Sequence, residues 1–327
     1  MKRGAALGTI YLVWGSTYLA ISVADRTLPP LLMLSVRFFI AGALLYGWCL
    51  WRGDVRAERP GRRQWGAAAA IGGLLLVVDT GGVALAEQRV PTGYAALLIA
   101  SVPLFMAVLD RLVLGIRLPV GALAGIATGL LGVGLLVGPG GRVDVLGTAV
   151  ILLAALAWAV GSVLARIAPL PTKPALAAAM QLLCASVMLA GLSAAKGDLS
   201  HVDLGAISPA SLAALAYLVV FGSIVAFTAY GWLLKNVGTQ LLSTYAYVNP
   251  AVAVVLGWAF IGERIGGKEI AAGLVILASV AMLFFARESR AAEPTAESLD
   301  AYVRRQEAQA AEVRPAPSLA ELRRIPA

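Results

Sequence analysis

Residues 146–166 read LGTAVILLAALAWAVGSVLAR, and no charged side chain occurs in this stretch before Arg166. An α-helix rises about 1.5 Å per residue, so about 20 apolar residues cross the hydrocarbon core of a bilayer. The stretch is therefore typical of a transmembrane helix. It is about twice as long as a membrane-barrel strand, and its side chains do not alternate between apolar and polar.

The composition of the whole chain indicates a lipid environment. Of its 327 residues, 60% are hydrophobic and 13% are charged, and the mean hydropathy is +0.84. A soluble domain is normally about a quarter charged. Cys49 and Cys184 lie in apolar stretches and match no metal-ligand spacing, and the one histidine, His201, lies in a polar connection. We therefore expect no metal, no cofactor and no catalytic residue.

Apolar runs of this length recur along the chain, and together they predict an all-α membrane protein with ten transmembrane helices. The runs cover residues 5–24, 31–50, 65–85, 92–113, 119–138, 146–166, 174–195, 210–232, 240–261 and 268–286. Residues 287–327 form a different kind of segment, rich in Glu, Arg, Ala and Pro and without net charge. We expect this tail to be cytoplasmic and largely disordered.

The distribution of Lys and Arg predicts how these helices are oriented. Ten spans place both termini on one side of the membrane. If that side is the cytoplasm, the cytoplasmic segments without the tail hold 12 basic residues and the opposite segments hold 6. Because Lys and Arg accumulate in cytoplasmic connections, we expect both termini in the cytoplasm. The net charge of +8 then reflects topology signals, and we expect no nucleic-acid partner.

An internal repeat divides the chain into two halves of five helices. Val90, Thr92, Pro103, Gly115 and Arg117 correspond to Val237, Thr239, Pro250, Gly262 and Arg264 at one offset of 147 residues. Because five is odd, the second half enters the membrane in the opposite sense to the first. Inverted repeats of this kind build alternating-access carriers. We expect a first repeat over 1–139, a second over 140–286 and a central cavity between them.

Several motifs resemble the EamA-type members of the drug/metabolite transporter superfamily, and its YedA-like branch in particular. They are Trp14-Gly-Ser-Thr-Tyr18, Val36-Arg-Phe, Ala86-Glu-Gln, Val90-Pro-Thr-Gly93, Ser243-Thr-Tyr-Ala-Tyr-Val-Asn-Pro250 and Gly262-Glu-Arg264. The resemblance implies ten-helix inner-membrane exporters of amino acids and related metabolites, with two inverted halves around a cavity. Asp79 departs from the family pattern, in which a small or neutral polar residue is expected. We thus expect a secondary transporter of a small-molecule substrate, with drugs or other metabolites as the alternative cargo.

Two ionisable side chains lie inside the predicted spans, where a charge is costly and indicates a function. Arg37 and Asp79 each lie six residues from the outer end of their helices, about 9 Å below the boundary. They could form a structural ion pair, or Asp79 could face the cavity and bind a substrate ammonium group or a proton. We interpret Arg37 as structural and Asp79 as a cavity residue. Glu87 and Asp110, near the interfaces, are interpreted as ordinary boundary charges.

Aromatic and polar side chains at mid-depth complete the candidate substrate site. Aromatic faces attract ammonium groups, and an apolar cavity with a few polar groups suits a small amphipathic solute. The candidates are Trp14, Ser16, Tyr18, Asp79, Tyr94, Trp158, Ser162, Gln181, Tyr245 and Asn249. Pro103 and Pro250 lie near the middle of equivalent helices and each frees a backbone carbonyl. We predict kinks or hinges there, which either flank the site or serve packing alone.

Other function classes find less support in the residues. No G-x-x-x-x-G-K-[ST] loop indicates an ATP-driven pump, and no charge ring or filter-like loop indicates a channel. An intramembrane hydrolase would need a second acid beside Asp79 or a histidine within a span. A receptor or a duplicated scaffold without transport is the remaining alternative. The sequence leaves open whether protons drive transport and whether the protein is a monomer or a homodimer.

Overall fold

All regular structure in the described part of the chain is helical. The computed structural model describes residues 3–86, 89–90, 95, 98–115, 120–137, 144–198, 203–256, 259 and 267–288. Outside these residues lie Glu87, Tyr94, His201, the repeat landmarks Thr92, Arg117, Gly262 and Arg264, and the tail from residue 289 onward. The prediction of an all-α protein is confirmed for the residues that are described.

The helices follow one another in a simple order. They are α1 (Arg3–Ala24), α2 (Pro30–Trp51), α3 (Asp54–Glu58), α4 (Arg62–Gly72), α5 (Gly82–Ala86), α6 (Val102–Leu114), α7 (Val120–Val137), α8 (Val145–Ile167), α9 (Pro174–Lys196), α10 (Pro209–Tyr217), α11 (Phe227–Asn236), α12 (Thr239–Ser243), α13 (Tyr245–Leu256) and α14 (Gly267–Glu288). Two π-helical segments, π1 (Gly73–Gly81) and π2 (Leu218–Ala226), join α4 to α5 and α10 to α11. A short 3₁₀ turn, Leu204–Ala206, precedes α10.

Local residues mark where the long helices begin and end. Proline occupies the first position of α2, α9 and α10, where a backbone N–H is not needed. The Asp144 carboxylate accepts a 2.6 Å hydrogen bond from the Gly147 N–H at the start of α8. Gly197, with a φ of 81°, ends α9 in a left-handed conformation that suits glycine. These signals explain why the apolar runs become helices with defined boundaries.

Six helical stretches of the described residues are long and apolar enough to cross a membrane. They are Arg3–Ile21, Pro30–Trp51, Arg62–Ala86, Val145–Ile167, Pro174–Lys196 and Pro209–Asn236. Each falls on one of the predicted spans. Helices α6, α7, α13 and α14 fall on the other four predicted spans, and their described apolar parts are shorter. The count of ten transmembrane helices therefore stays a prediction.

The two π-helical segments occupy corresponding places in the two halves of the chain. Each has nine residues, and their first residues, Gly73 and Leu218, are 145 positions apart. This separation is close to the offset of 147 that relates the sequence landmarks. A π-helix closes each backbone hydrogen bond one residue later than an α-helix and is frequent at functional sites. The irregularity is thus a shared property of both halves.

Helices from the two halves pack directly against each other. At the contact of α2 with α9, a Cβ on Gly42 would lie 2.9 Å from the Leu183 side chain and 3.0 Å from its backbone nitrogen. Glycine at this position therefore permits the close approach of the two backbones. At the contact of α7 with α14, the Ser279 hydroxyl donates a 2.7 Å hydrogen bond to the Gly125 carbonyl. Small residues and short polar contacts of this kind are typical of helices packed in lipid.

The outer surface of the helices is apolar. Large hydrophobic side chains such as Leu12, Leu131, Val187 and Leu274 are exposed. A soluble protein rarely exposes so many large apolar side chains, so this surface is suited to contact with lipid acyl chains. Five of the buried polar side chains, by contrast, line a cavity between the helices: Thr17, Arg37, Asp79, Ser223 and Asn249.

Candidate functional site

A cavity of about 170 Å³ lies between helices from both halves of the chain. Its walls come from α1, α2, π1, α5 and α6 in the first half and from α8, α9, π2, α11 and α13 in the second. Its polar lining consists of Thr17, Arg37, Asp79, Thr80, Ser223 and Asn249. Its aromatic lining consists of Trp14, Phe38, Trp158, Phe227 and Tyr245. An apolar chamber with a few convergent polar groups is the usual form of a small-ligand site.

Four aromatic rings form a cluster at one wall of the cavity. The ring of Trp14 lies 5.5 Å from Trp158, 5.1 Å from Tyr230 and 5.2 Å from Tyr245, measured between ring centroids. Trp158 and Tyr230 are 5.2 Å apart, and the indole of Trp158 donates a 2.9 Å hydrogen bond to the Tyr230 hydroxyl. The Tyr230 hydroxyl also lies 2.6 Å from the Ser162 hydroxyl. These contacts fix the rings, so the cluster presents a preformed surface.

Arg37 is held at the cavity by residues of π2. Its side chain is buried, and its Nε donates a 2.8 Å hydrogen bond to the Ser223 hydroxyl. The neighbouring residue, Gly222, leaves room for the guanidinium, because a Cβ at that position would lie 2.7 Å from Nη2. The carbonyl of Gly222 accepts a 3.2 Å hydrogen bond from the Trp14 indole. The position of Arg37 is therefore set by residues that belong to the other half of the chain.

Asp79 lies within π1 and also lines the cavity. The nearest hydroxyl, that of Thr80, is 3.5 Å from its Oδ2, a distance too long for a strong hydrogen bond. Thr80 instead donates to the carbonyl of Leu75, five residues earlier, at 3.1 Å. Asp79 therefore presents a buried carboxylate with weak hydrogen bonding to the described residues.

The two opposite charges share the cavity without forming an ion pair. Among the described residues, ion pairs join Arg52 to Asp54, Arg166 to Asp110 and Lys196 to Asp198, and no pair within 4.0 Å involves Arg37 or Asp79. The predicted alternative of a structural pair between Arg37 and Asp79 is therefore not formed. The physical reason is that Ser223 and Gly222 direct the guanidinium towards π2.

Asn249 adds an amide to the cavity. Its side chain is buried, and its Oδ1 has no hydrogen-bond donor among the described residues. A buried acceptor without a partner costs free energy, so a ligand or water that donates to it would be favoured. Together with Trp14, Arg37, Asp79, Trp158 and Tyr245, it completes the set of predicted site residues that the structure places at the cavity.

Three other predicted site residues lie near the cavity without lining it. The Ser16 hydroxyl lies 2.7 Å from the Val13 carbonyl and 2.5 Å from the Tyr217 hydroxyl. Ser162 is buried beside Tyr230. Gln181 faces a second, smaller cavity of about 20 Å³, which also contacts Tyr230. The hydroxyl groups of Ser16 and Ser162 thus stabilise contacts between helices in this conformation.

The remaining predicted residues fall at helix ends or outside the described residues. Tyr94 and the side chain of Tyr18 lie outside them. Pro103 lies in the first turn of α6 and not in the middle of a helix, where its missing N–H breaks no hydrogen bond. Pro250 lies inside α13, although its side chain is outside the described part. A hinge role for either proline stays a prediction.

A buried ion pair lies away from the cavity, at the end of α8. Asp110 of α6 and Arg166 of α8 approach to 3.5 Å, and their side chains are 3% and 8% exposed. Arg166 also donates hydrogen bonds to the carbonyls of Leu234 and Val237, at 3.0 and 3.1 Å. The interpretation of Asp110 as an ordinary boundary charge is wrong, because the carboxylate is buried against a cation from the other half.

Several cavity residues were not identified from the sequence. They are Thr17, Phe38, Thr80, Gly222, Ser223 and Phe227, together with Tyr230 in the adjoining aromatic cluster. Ser223, Phe227 and Tyr230 are spaced by four and three residues, as expected for neighbours on one helix face. This spacing is the signal that could have indicated them.

The chain is similar in sequence to known families and proteins that are named as transporters. The model of the "EamA-like transporter family" matches residues 4–138 and again residues 145–285. The chain is 40% identical over 280 residues to the "Uncharacterized inner membrane transporter YedA" of Escherichia coli K12, covering 84% of this chain and 88% of that protein. It is 27% identical over 297 residues to the "Probable terminal-alkyne amino-acid exporter" of Streptantibioticus cattleyicolor, covering 85% and 94%.

A solved crystal structure shares the fold. It aligns with a TM-score of 0.73 and 23% identity, over 88% of this chain and 99% of the other. At this identity the likeness concerns the fold alone. The resemblance expected from the sequence motifs, to the EamA type and its YedA-like branch, is confirmed by the two family matches and by the 40% identity.

Proposed function

Because this chain belongs to the EamA-like transporter family, we propose that it is a secondary transporter that exports amino acids or related amphipathic metabolites by alternating access. Membership of this family supports the assignment as a transporter. A relative named as a probable amino-acid exporter supports the substrate class. The cavity, with its aromatic wall and few polar groups, supports a small amphipathic cargo.

The proposed architecture is ten transmembrane helices arranged as two inverted repeats. The protein lies in the inner membrane, with both termini in the cytoplasm. The two family matches, over 4–138 and 145–285, support the division into repeats. The corresponding positions of π1 and π2 support it further, since both halves carry the same irregularity. The excess of Lys and Arg in alternate connections supports the orientation.

One observation carries the proposal: each half contributes a charged or hydrogen-bonding element to a single cavity. Arg37 from the first half is held by Ser223 from the second, and Asp79 from the first half lines the same chamber as Trp158 and Tyr245 from the second. A site built between two repeats can change its access when the repeats move relative to each other. A scaffold without transport would have no use for two ionisable side chains that line a buried cavity without pairing with each other.

Asp79 is the proposed cation-recognition group of this site. Its carboxylate lies at the cavity with weak hydrogen bonding to the described residues, so it can receive a substrate ammonium group. It is also the titratable acid that proton antiport would use. Whether protons take part is decided by the response of transport to a pH gradient.

The experiment that tests the proposal is counterflow in proteoliposomes. Purified protein is reconstituted with unlabelled substrate inside, and uptake of labelled amino acids and related amines is followed with and without a pH gradient. Saturable counterflow of an amino acid is the expected result. Flux that never saturates would indicate a channel. Absence of counterflow for the whole panel would contradict the proposed substrate class and favour a drug carrier, a receptor or a scaffold.

A further inference from the structure

We propose that Arg37 forms a carboxylate-binding subsite in the cavity, with Gly222 making room for its guanidinium and Ser223 fixing its orientation. The inference rests on the proposed transport function and narrows its substrate class. The cargo would be a compound that carries both a carboxylate and an ammonium group. Arg37 would then determine substrate specificity, in addition to joining α2 to π2 through its hydrogen bond to Ser223.

The first observation is that Arg37 is buried with most of its donors unused. Only 6% of the residue is exposed. A guanidinium has five N–H donors, and Arg37 uses the one on Nε for Ser223. Nη1 and Nη2 donate to none of the described residues, and neither is sealed from solvent. The free side of the guanidinium fork is therefore available to a ligand in the cavity.

The second observation is that no carboxylate of the described residues neutralises this charge. Asp79 lines the same cavity but does not lie within ion-pair distance. A buried cation without a counter-charge is costly. A substrate carboxylate would remove that cost, because a guanidinium binds a carboxylate through two parallel N–H donors.

The third observation is that the surroundings of Arg37 are shaped for it. A Cβ on Gly222 would lie 2.7 Å from Nη2 and 3.2 Å from the Thr17 side chain. Gly222 cannot move away freely, since its carbonyl accepts a hydrogen bond from the Trp14 indole. The guanidinium carbon also lies 5.2 Å from the centroid of the Phe38 ring. The subsite is thus built from two elements of the fold and not from a side chain at an open surface.

The charges of the cavity fit a zwitterion as a whole. Arg37 presents a guanidinium and Asp79 a carboxyl group, while Trp14, Trp158 and Tyr245 offer an apolar wall for the rest of the solute. A compound with only an amine would satisfy Asp79 and leave Arg37 unpaired. A compound with only an acid would do the reverse. Discrimination between these classes is therefore the property to measure.

The test compares each labelled amino acid that shows counterflow with its decarboxylated amine, for example phenylalanine with 2-phenylethylamine as unlabelled competitor. In the wild-type protein, we expect the amine to compete at least about tenfold more weakly than the amino acid. Arg37→Gln should raise the half-saturating concentration of the amino acid about tenfold or more, and bring the amine and the amino acid to similar potency.

A second variant keeps the test valid if Arg37→Gln does not fold. Gly222→Ala retains the arginine but displaces Nη2, so it should reduce the preference for the amino acid in the same direction. Gly47→Ala, on the same helix as Arg37 and with open space around its Cβ position, is the matched control and should change neither the half-saturating concentration nor the preference for the amino acid. A monodisperse peak in size-exclusion chromatography verifies the fold of each variant.

Two results would overturn the subsite. One is equal competition by amine and amino acid in the wild-type protein. The other is a preference for the amino acid that survives in Arg37→Gln or in Gly222→Ala. Both differ from a failure of the proposed function, in which the wild-type protein shows no saturable counterflow of any compound and the subsite is rejected with it.

Discussion

Nη1 of Arg166 lies 3.5 Å from Oδ2 of Asp110, and this contact joins a helix of the first half to a helix of the second. Arg166 is eight residues beyond Trp158, which places the pair about 12 Å from the aromatic wall of the cavity along α8. The pair lies at the end of α8 that is predicted to face the cytoplasm. It is therefore positioned to hold the two halves together below the cavity.

Removing one partner of this pair should destabilise the protein. Asp110→Asn leaves Arg166 buried without its counter-charge, and we expect a loss of about 3 kcal/mol, partly offset by the carbonyls of Leu234 and Val237. The double variant Asp110→Asn with Arg166→Met should be more stable than Asp110→Asn alone. Thermal unfolding in detergent measures both. Additive effects of the two substitutions would contradict the coupling.

The loop helix α3 should release its contact with the connection before α9 at low pH. Glu58 accepts hydrogen bonds of 2.6 Å from the Thr172 hydroxyl, 2.7 Å from the Thr172 N–H and 2.9 Å from the Lys173 N–H. Partial burial alone would raise the pKa of Glu58, but these hydrogen bonds outweigh it and lower the pKa below the ordinary value of 4.5. The ionised carboxylate of Glu58 therefore stabilises the contact fully when the pH is above 4.5.

Because the folded-state pKa is the lower one, the stabilisation is lost as the pH falls below about 4.5 and through the folded-state pKa. Amide hydrogen exchange at Thr172 and Lys173, corrected for intrinsic rates, should show protection at neutral pH that disappears in acid. In Glu58→Ala this protection should be absent at every pH. Protection that is independent of both pH and Glu58 would contradict the prediction.

Gly42→Ala and Gly47→Ala should have opposite effects although both lie on α2. A Cβ at position 42 would meet the backbone nitrogen of Leu183 at 3.0 Å and the carbonyl of Ala179 at 3.2 Å, and backbone atoms cannot yield easily. Overpacking of this kind costs about 1–3 kcal/mol. At position 47 nothing lies within 4 Å, so alanine should stabilise the helix by up to about 1 kcal/mol. Melting temperatures in one detergent compare the two variants directly.

Asp79→Asn should remove or strongly reduce transport of cationic and zwitterionic substrates, because the carboxylate is the anion at the cavity that can receive an ammonium group. Any response of counterflow to a pH gradient should be lost as well. Asp54→Asn, in the loop helix α3, removes the same charge away from the cavity and serves as the control. Unchanged affinity and rate in Asp79→Asn would contradict the role of this residue.

The sequence predicted much of the helical framework, because long apolar runs in lipid leave the backbone no alternative that satisfies its hydrogen bonds. Six predicted spans coincide with membrane-length helices. The shared depth of Arg37 and Asp79, six residues from their helix ends, also indicated that they lie at one level. The structure places both at the cavity.

Pairings between distant helices could not be predicted in the same way. The partner of Asp110 is Arg166, 56 residues away in sequence, and that of Arg37 is Ser223, 186 residues away. Such contacts depend on how the helices are rotated about their axes, which periodicity does not specify in chains that are apolar on every face. For the same reason Ser16 and Gln181, although at plausible depths, do not line the cavity.

The π-helical segments make the cavity sensitive to the number of residues in a helix. In π1 and π2 each backbone N–H donates to the carbonyl five residues back, so each hydrogen-bonded turn contains one residue more than a turn of an α-helix. If π1 were wound as an α-helix with the same number of residues, every side chain beyond it would be rotated by about 100°, the turn of one residue, relative to those before it. Asp79 and the rest of its helix would then no longer face the same chamber. In this family member, the length of a helix, and not only the identity of its side chains, determines what the cavity can bind.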